Sequence, residues 1–344
     1  MKDNYRALQI DPKDFYETQT QEEKLRFLLQ FAVLAPSTHN TQPWLFEIRE
    51  NSCVIYFDRS LQLPEADPKE RDLYISLGCC IENLILAAKY FGMFERIEYH
   101  FKENLVGEVF LHDSTGIHDE YEYTLSAISK RMNARGIFEP RAVDSAFVEQ
   151  IRRILSEEYS FEPPIKAIFT ENKDDINRLA ILTAQGLLLA HGKPSFRKEM
   201  SRWIHNNLSR KRDGMPGYAL RMPFLLSFII PPAIRFFNLG KLLAKLNYKS
   251  FSSTPLVCGF FCSEESQRVW LLLGRMAERL MLEFQSRGLQ TSIFVASIEM
   301  GDLYKKVQET FHTSLRPQFL LCIGHMAAPQ PKTPKYSVDA KLIP

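Results

Sequence analysis

Hydrophobic residues along this chain follow two periods, and the switches between them mark its elements. Thr20 stands three residues before Glu23, the pairing of a capping box, and Leu25, Leu28, Leu29, Ala32 and Val33 then recur at helical spacing. A helix is predicted there. Pro36 ends it, because the residue before a proline is pushed out of helical geometry. From Trp44 the period becomes two: Trp44, Phe46 and Ile48 alternate with Leu45, Glu47 and Arg49. This reads as a strand, with Cys53–Asp58 as its hairpin partner and Glu50, Asn51 and Ser52 as the turn. The polar run PEADPKERD then leads into an apolar helix predicted from about Leu73 to Phe91 and stopped by Gly92.

That helix recurs. LGCCIENLILAAKYFGM (Leu77 to Met93) and LGRMAERLMLEFQSRGL (Leu273 to Leu289) match at Leu77/Leu273, Gly78/Gly274, Glu82/Glu278, Leu84/Leu280, Leu86/Leu282 and Gly92/Gly288. Each copy follows an apolar strand-like run, CVIYFD or PLVCGFFC, and precedes another, GEVFLH or PQFLLCIG. The pattern reads as an ancient duplication, giving an α+β chain whose two lobes form a pseudo-dimer. The expected boundaries are 1–125 and 126–344, with a lid-like insertion at about 206–253.

The lobes are unequal. Only the first has the connection LAPSTHNTQPWLF (Leu34 to Phe46), which carries far more hydrogen-bonding side chains than a turn needs. Only the second opens with KRMNARGIF (Lys130 to Phe138). There Arg131, Asn133 and Arg135 alternate, so in an extended segment they point to one side. Guanidiniums in that arrangement suit a phosphate, although a solvated basic turn has the same composition. Lys332 and Lys335 in the C-terminal PKTPKYS are further candidate phosphate partners, or part of a solvated tail. A loop from one lobe meeting the Arg cluster of the other would make one composite site.

Composition narrows the classes. The chain has 344 residues, 45% hydrophobic and 24% charged, with a formal net charge of only +2. No strong field argues for nucleic acid or an anionic membrane. The six cysteines lack C-x-x-C spacing and read as reduced core thiols of a cytoplasmic protein. The N-terminus is too polar for a signal peptide, and no apolar run reaches the ~20 residues that cross a bilayer. The nearest, PFLLSFIIPPAIRFF (Pro223 to Phe237), is interrupted by Pro231 and Pro232 and charged by Arg235. It reads as a buried or covering segment, with docking to a protein partner or membrane surface as the weaker reading. There is no G-x-G-x-x-G, no G-x-S-x-G and no metal-ligand spacing of Cys and His.

APSTHNTQPWLF resembles the A-P-S-x-x-N-x-Q-P-W-x-F loop of the nitroreductase family, the FMN-dependent oxidoreductases. KRMNARGIF is similar to that family's R-x-S-x-R-x-F segment, with Asn133 in place of the usual Ser. FVASIEMG (Phe294 to Gly301) resembles the loop near the flavin N5. The order and the duplication resemble in particular the two-lobed, Acg-like branch. The resemblance implies FMN between the lobes, with Pro36, Ser37, Thr38 and Asn40 reaching it from the first lobe. It implies Arg131, Asn133 and Arg135 on the phosphate, ribityl chain and N1/O2 edge, and Lys335, then Lys332, completing the phosphate site. Backbone N–H groups near Glu299 and Met300 would face N5. Gln42 and Trp44 would orient the loop, and His39 would be a surface residue. The chemistry would be the flavin's, with no catalytic side chain assigned. NAD(P)H would reduce it, and a small acceptor (nitroaromatic, quinone or enone) would take the hydride in a ping-pong cycle. The alternative is a flavin store whose lid permits little turnover. A monomeric pseudo-dimer or a homodimer fits equally.

Overall fold

A computed structural model describes residues 3–328 and 330–344, with the backbone alone at Asp3. Helix α1 (Gln21–Ala32) begins on the expected capping box, in which Thr20 Oγ1 accepts from Glu23 N and the Glu23 carboxylate accepts from Thr20 N. The hairpin β1 (Trp44–Ile48) and β2 (Ser52–Phe57) follows, with Phe46 opposite Ile55. Next come the long helix α2 (Arg71–Tyr90) and a second hairpin, β3 (Phe94–Lys102) and β4 (Leu105–Leu111). Gly92 takes the left-handed conformation just past α2 (φ 59°), where a side chain would strain the backbone.

Helices α3 (Glu122–Lys130) and α4 (Ser145–Glu158) lead to β5 (Ile165–Thr170). Then come α5 (Lys173–Gly192), α6 (Pro194–Trp203), the two-residue strands β6 (Ile204–His205) and β7 (Met215–Pro216), α7 (Leu226–Phe236) and α8 (Gly240–Ser252). Strand β8 (Leu256–Cys262), helix α9 (Gln267–Ser286), β9 (Gln290–Phe294), α10 (Ala296–Glu299), α11 (Leu303–Thr310) and β10 (Arg316–Gly324) complete the second half.

The two large sheets share one plan. Their orders are β1-β2-β4-β3 and β5-β8-β10-β9, all neighbours antiparallel. The repeated strand, helix and strand of the sequence are β2, α2 and β4 in the first half and β8, α9 and β10 in the second, in matching places of that plan. Where β1 and β2 are joined by a tight turn, however, β5 and β8 are joined by residues 171–255, carrying α5 to α8. The expected insertion at 206–253 is only the later part of this connection.

One hydrophobic core runs through both halves. At its centre α2 and α9 cross on the repeated glycines. A Cβ on Gly78 would lie 2.0 Å from Leu271 O, and one on Gly274 would lie 2.1 Å from Ile75 O, so only hydrogen fits at either position. The crossing is also tied by a buried ion pair, Arg275 Nε to Glu82 Oε2 at 2.9 Å. The C-terminal tail returns to the first sheet, where Phe46 N donates to Lys341 O and Ile343 N to Phe46 O, both at 2.8 Å. This pairs an otherwise open edge and carries Lys332 and Lys335 across the molecule.

All six cysteines are buried and free, as expected. Among the described residues, Arg71–Tyr90 is the one single helix long and apolar enough to cross a membrane, and it is the buried core helix α2.

Candidate functional site

A cavity of about 270 Å³ opens between the halves. The first half contributes Leu34, the loop from Pro36 to Asn40, and the face of α2 bearing Asp72, Ile75 and Ser76. The second contributes Arg131 to Asn133 and Arg135, Met281 of α9, Ile293 and Val295 around β9, and Lys332 and Lys335 of the tail. Nine of the eleven residues singled out from the sequence therefore line one cavity: Pro36, Ser37, Thr38, Asn40, Arg131, Asn133, Arg135, Lys332 and Lys335.

The loop 36–42 is held in an unusual backbone. His39, Asn40 and Gln42 all have positive φ (53°, 58° and 54°), a region that non-glycine residues seldom occupy. Side chains fix it there. Ser37 Oγ accepts from Gln42 N at 2.9 Å, and Thr38 Oγ1 donates to Asp72 Oδ2 at 3.3 Å. Gln42 Nε2 donates to Arg212 O at 2.7 Å, and Tyr336 N donates to Gln42 Oε1 at 2.9 Å. Trp44 is fully buried in the core. Strain on this scale persists only where the surroundings over-determine it.

At four points the structure adds to the sequence reading or departs from it. Asn40 lines the cavity, but its Nδ2 donates to Gly214 O at 3.1 Å and Pro334 O at 3.0 Å. Its amide binds two loops together. His39 is not a surface residue. Its Nε2 is buried without a hydrogen-bond partner, and burial pushes the ring's pKa down to about 4, so it stays neutral. Neither Glu299 nor Met300 lines the cavity, whose wall ends at Val295. The Glu299 N–H is already committed to Val295 O at 3.2 Å. The covering run Pro223 to Phe237 does not reach the cavity either. Of residues 206–253 only Met215 lines it, and α7 runs through Pro231 and Pro232 rather than breaking there.

The cations differ in their partners. Arg131 lies 3.2 Å from the wholly buried Glu278, through Nε and Oε1, so its charge is largely answered. Arg135 has no acidic partner among the described residues. Burial pushes its guanidinium pKa down, and its side chain reaches Met215 Sδ at 3.8 Å. Asn133 Oδ1 accepts from Ile293 N at 2.8 Å, which pins the extended segment against β9. Lys332 Nζ donates to Ser129 O and Lys335 Nζ to Ala35 O, each at 2.5 Å. Burial, then the nearby Arg131, pushes the Lys335 ammonium down to about 7. Arg135 and Lys335 are thus cations held at a cost, and an anion in the cavity would relieve it.

A second charged cluster adjoins the cavity and has no periodic signature in the sequence. Arg71 Nη2 lies 2.9 Å from Asp72 Oδ1 and 2.6 Å from Glu299 Oε1, and Asp67 Oδ2 accepts from Leu73 N at 2.8 Å. Burial, then the charge of Asp72, raises Glu299 to about 8. The folded state therefore holds this proton through a pH range in which the unfolded chain has released it, so stability falls as pH rises from about 4.5 to 8. Glu299→Gln should flatten that fall. Melting temperatures across pH 5 to 9 measure it, with a limiting slope of about 1.4 kcal/mol per pH unit for one proton. Identical profiles for both proteins would show that Glu299 ionises normally.

No family model matches the chain. Two curated proteins from Mycobacterium tuberculosis strains, each named "Putative NAD(P)H nitroreductase", are 36% identical to it over 70 residues. The match spans only 20% of this chain and 20% of theirs. Among solved structures, the FMN and NADPH-dependent nitroreductase NfnB of Sphigopyxis sp. strain HMH aligns with TM-score 0.39 and 19% identity, over 61% of this chain and 94% of its own. NfnB of Mycobacterium smegmatis, in complex with NADPH, aligns with TM-score 0.40 and 15% identity, over 66% and 95%. A nitroreductase with bound FMN from Desulfitobacterium hafniense aligns with TM-score 0.37 and 11% identity, over 61% and 92%.

Proposed function

We propose that this chain is a two-lobed flavoprotein of the nitroreductase type, with lobes at 1–125 and 126–344, and that the cavity between the halves holds FMN. The observation that carries the reading is the cavity's division of chemistry. Lys335 is buried and Arg135 partly so, and neither forms an ion pair with a carboxylate among the described residues, while Leu34, Ile75, Met281, Ile293, Val295 and Phe319 supply apolar walls. That combination fits a phosphate ester joined to a flat apolar ring, because cofactor pockets are mostly apolar with a few placed polar groups. When bound, FMN would supply the redox chemistry, taking hydride from NAD(P)H and passing it to a small organic acceptor.

The chain's own residues would bind and orient. Arg135 and Lys335 would meet the phosphate, and Lys332 would add charge at that end. Arg131, balanced by Glu278, would present a fixed guanidinium rather than a free charge. Ser37 and Thr38 would offer hydroxyls from the strained loop. Neutral His39 would border the site without adding charge.

The storage alternative needs a cover, and the outward-facing run Pro223 to Phe237 offers none. The enzyme reading is therefore preferred. Purified protein should be yellow, should bleach under anaerobic NADPH, and should regain colour with a quinone. Released flavin should amount to one per chain. At the matching place in the other half, Glu82, the counterpart of Glu278, is engaged by Arg275 and Tyr159 in a closed network. Colourless protein that takes up no FMN would reject the flavin reading, and colour that NADPH leaves unchanged would favour storage. Two flavins per chain would reject the composite site.

A further inference from the structure

The connection between β5 and β8 ends in a helical hairpin, α7 and α8, bent by 118°. Its inner faces are accounted for. Ser227, Pro231 and Ile234 are buried at helical spacing on α7, and Ala244 and Phe251 on α8. The outer face is not. Nine of the sixteen large apolar side chains exposed among the described residues fall between Phe224 and Leu246. Leu225 is 73% exposed, Ile229 60% and Phe236 70%. Contiguous exposure of this kind marks a surface that something covers.

Charge says what covers it. Between Asp213 and Glu264 the sequence contains no acidic residue and five basic ones: Arg221, Arg235, Lys241, Lys245 and Lys249. The three lysines fall one turn apart along α8 and are exposed, and each of the first two is followed by an exposed leucine, Leu242 and Leu246. An apolar ridge thus runs beside a cationic one. With 11 and 13 residues the helices are too short to cross a bilayer. They have the makeup of helices that lie in its interface. The hairpin is also fixed to the cavity segment, since Ser250 Oγ donates to Gly136 O at 2.6 Å and Ser253 Oγ accepts from Phe138 N at 3.0 Å.

We propose that α7 and α8 dock this protein onto an anionic lipid bilayer, with Phe228, Ile229 and Phe236 entering the acyl boundary and Lys241, Lys245 and Lys249 meeting lipid phosphates. The docking is independent of what the cavity binds.

Flotation of the full chain with vesicles tests it. Protein should float with phosphatidylcholine vesicles containing about a third phosphatidylglycerol and much less with phosphatidylcholine alone, and high salt should weaken it. Each lysine near such a surface is worth roughly fivefold, so K241Q/K245Q/K249Q should reduce binding on the order of a hundredfold. F228S/I229S should also lose binding, and both variants should melt as the parent does. No flotation with either vesicle would overturn the proposal, as would equal flotation with both. So would a larger assembly of the parent that F228S/I229S dissolves, which would make a second copy the occupant.

Discussion

Gly274→Val should leave little folded protein. The Cβ it adds would sit 2.1 Å from the Ile75 carbonyl oxygen, and the atoms behind that oxygen are backbone. No rotamer change can relieve the clash, so α2 and α9 must separate. Overpacking a core usually costs about 1–3 kcal/mol when side chains can adjust, and here they cannot. A cost above about 3 kcal/mol is expected, a large part of a domain's net stability. Gly78→Val meets Leu271 in the same way. Gly192→Ala is the control, because a Cβ there meets nothing within 4 Å. At a helix end it should be neutral or slightly stabilising. Thermal melting of the soluble fraction compares them, and a Gly274 variant that melts like the parent would show that the helices do not cross as described.

The second large effect separates two arginines that look alike in the sequence. Arg135→Ala should lower FMN affinity by roughly one to two decades, since a charge-assisted hydrogen bond is worth about 1.5–3 kcal/mol, while leaving the melting temperature nearly unchanged. Arg131→Ala should act chiefly on stability, with a smaller loss of FMN affinity than Arg135→Ala. It leaves Glu278, which is wholly buried, without its partner. Breaking a buried pair in this way costs about 3–5 kcal/mol. Adding Glu278→Gln to Arg131→Ala should restore much of the lost stability. Flavin fluorescence titration and melting curves read both sides. If Arg131→Ala loses flavin and keeps its stability, the assignments of the two arginines must be exchanged.

Much of the fold was legible because it is periodic. The capping box at Thr20, the alternation from Trp44 to Ile48 and the matched pairs from Leu77/Leu273 to Gly92/Gly288 are local patterns, and each became the element it implied. The repeat even named both glycines of the α2–α9 crossing, although spacing alone could not place them in contact. What escaped was set by partners far apart in the chain. Arg71 and Asp72 read as the end of a polar loop, and Glu299, 228 positions beyond Arg71, makes them a cluster. Asn40 carries a motif, but its amide is spent on Gly214 and Pro334, which no local signal links to it. Strand β3, with a mixed and largely exposed face, shows no clean alternation. The run Pro223 to Phe237 misled for a different reason. Apolar composition says that a segment avoids water, and it does not say which surface provides the shelter.

The α2–α9 crossing joins two copies of one plan within a single chain, and this changes what substitution can do. In an assembly of identical subunits every acquired feature is displayed twice, on faces related by symmetry. Two similar halves within one chain are free of that coupling. Here one half carries the 171–255 connection where the other has a three-residue turn. The molecule therefore has a front and a back, which no twofold dimer of identical subunits has.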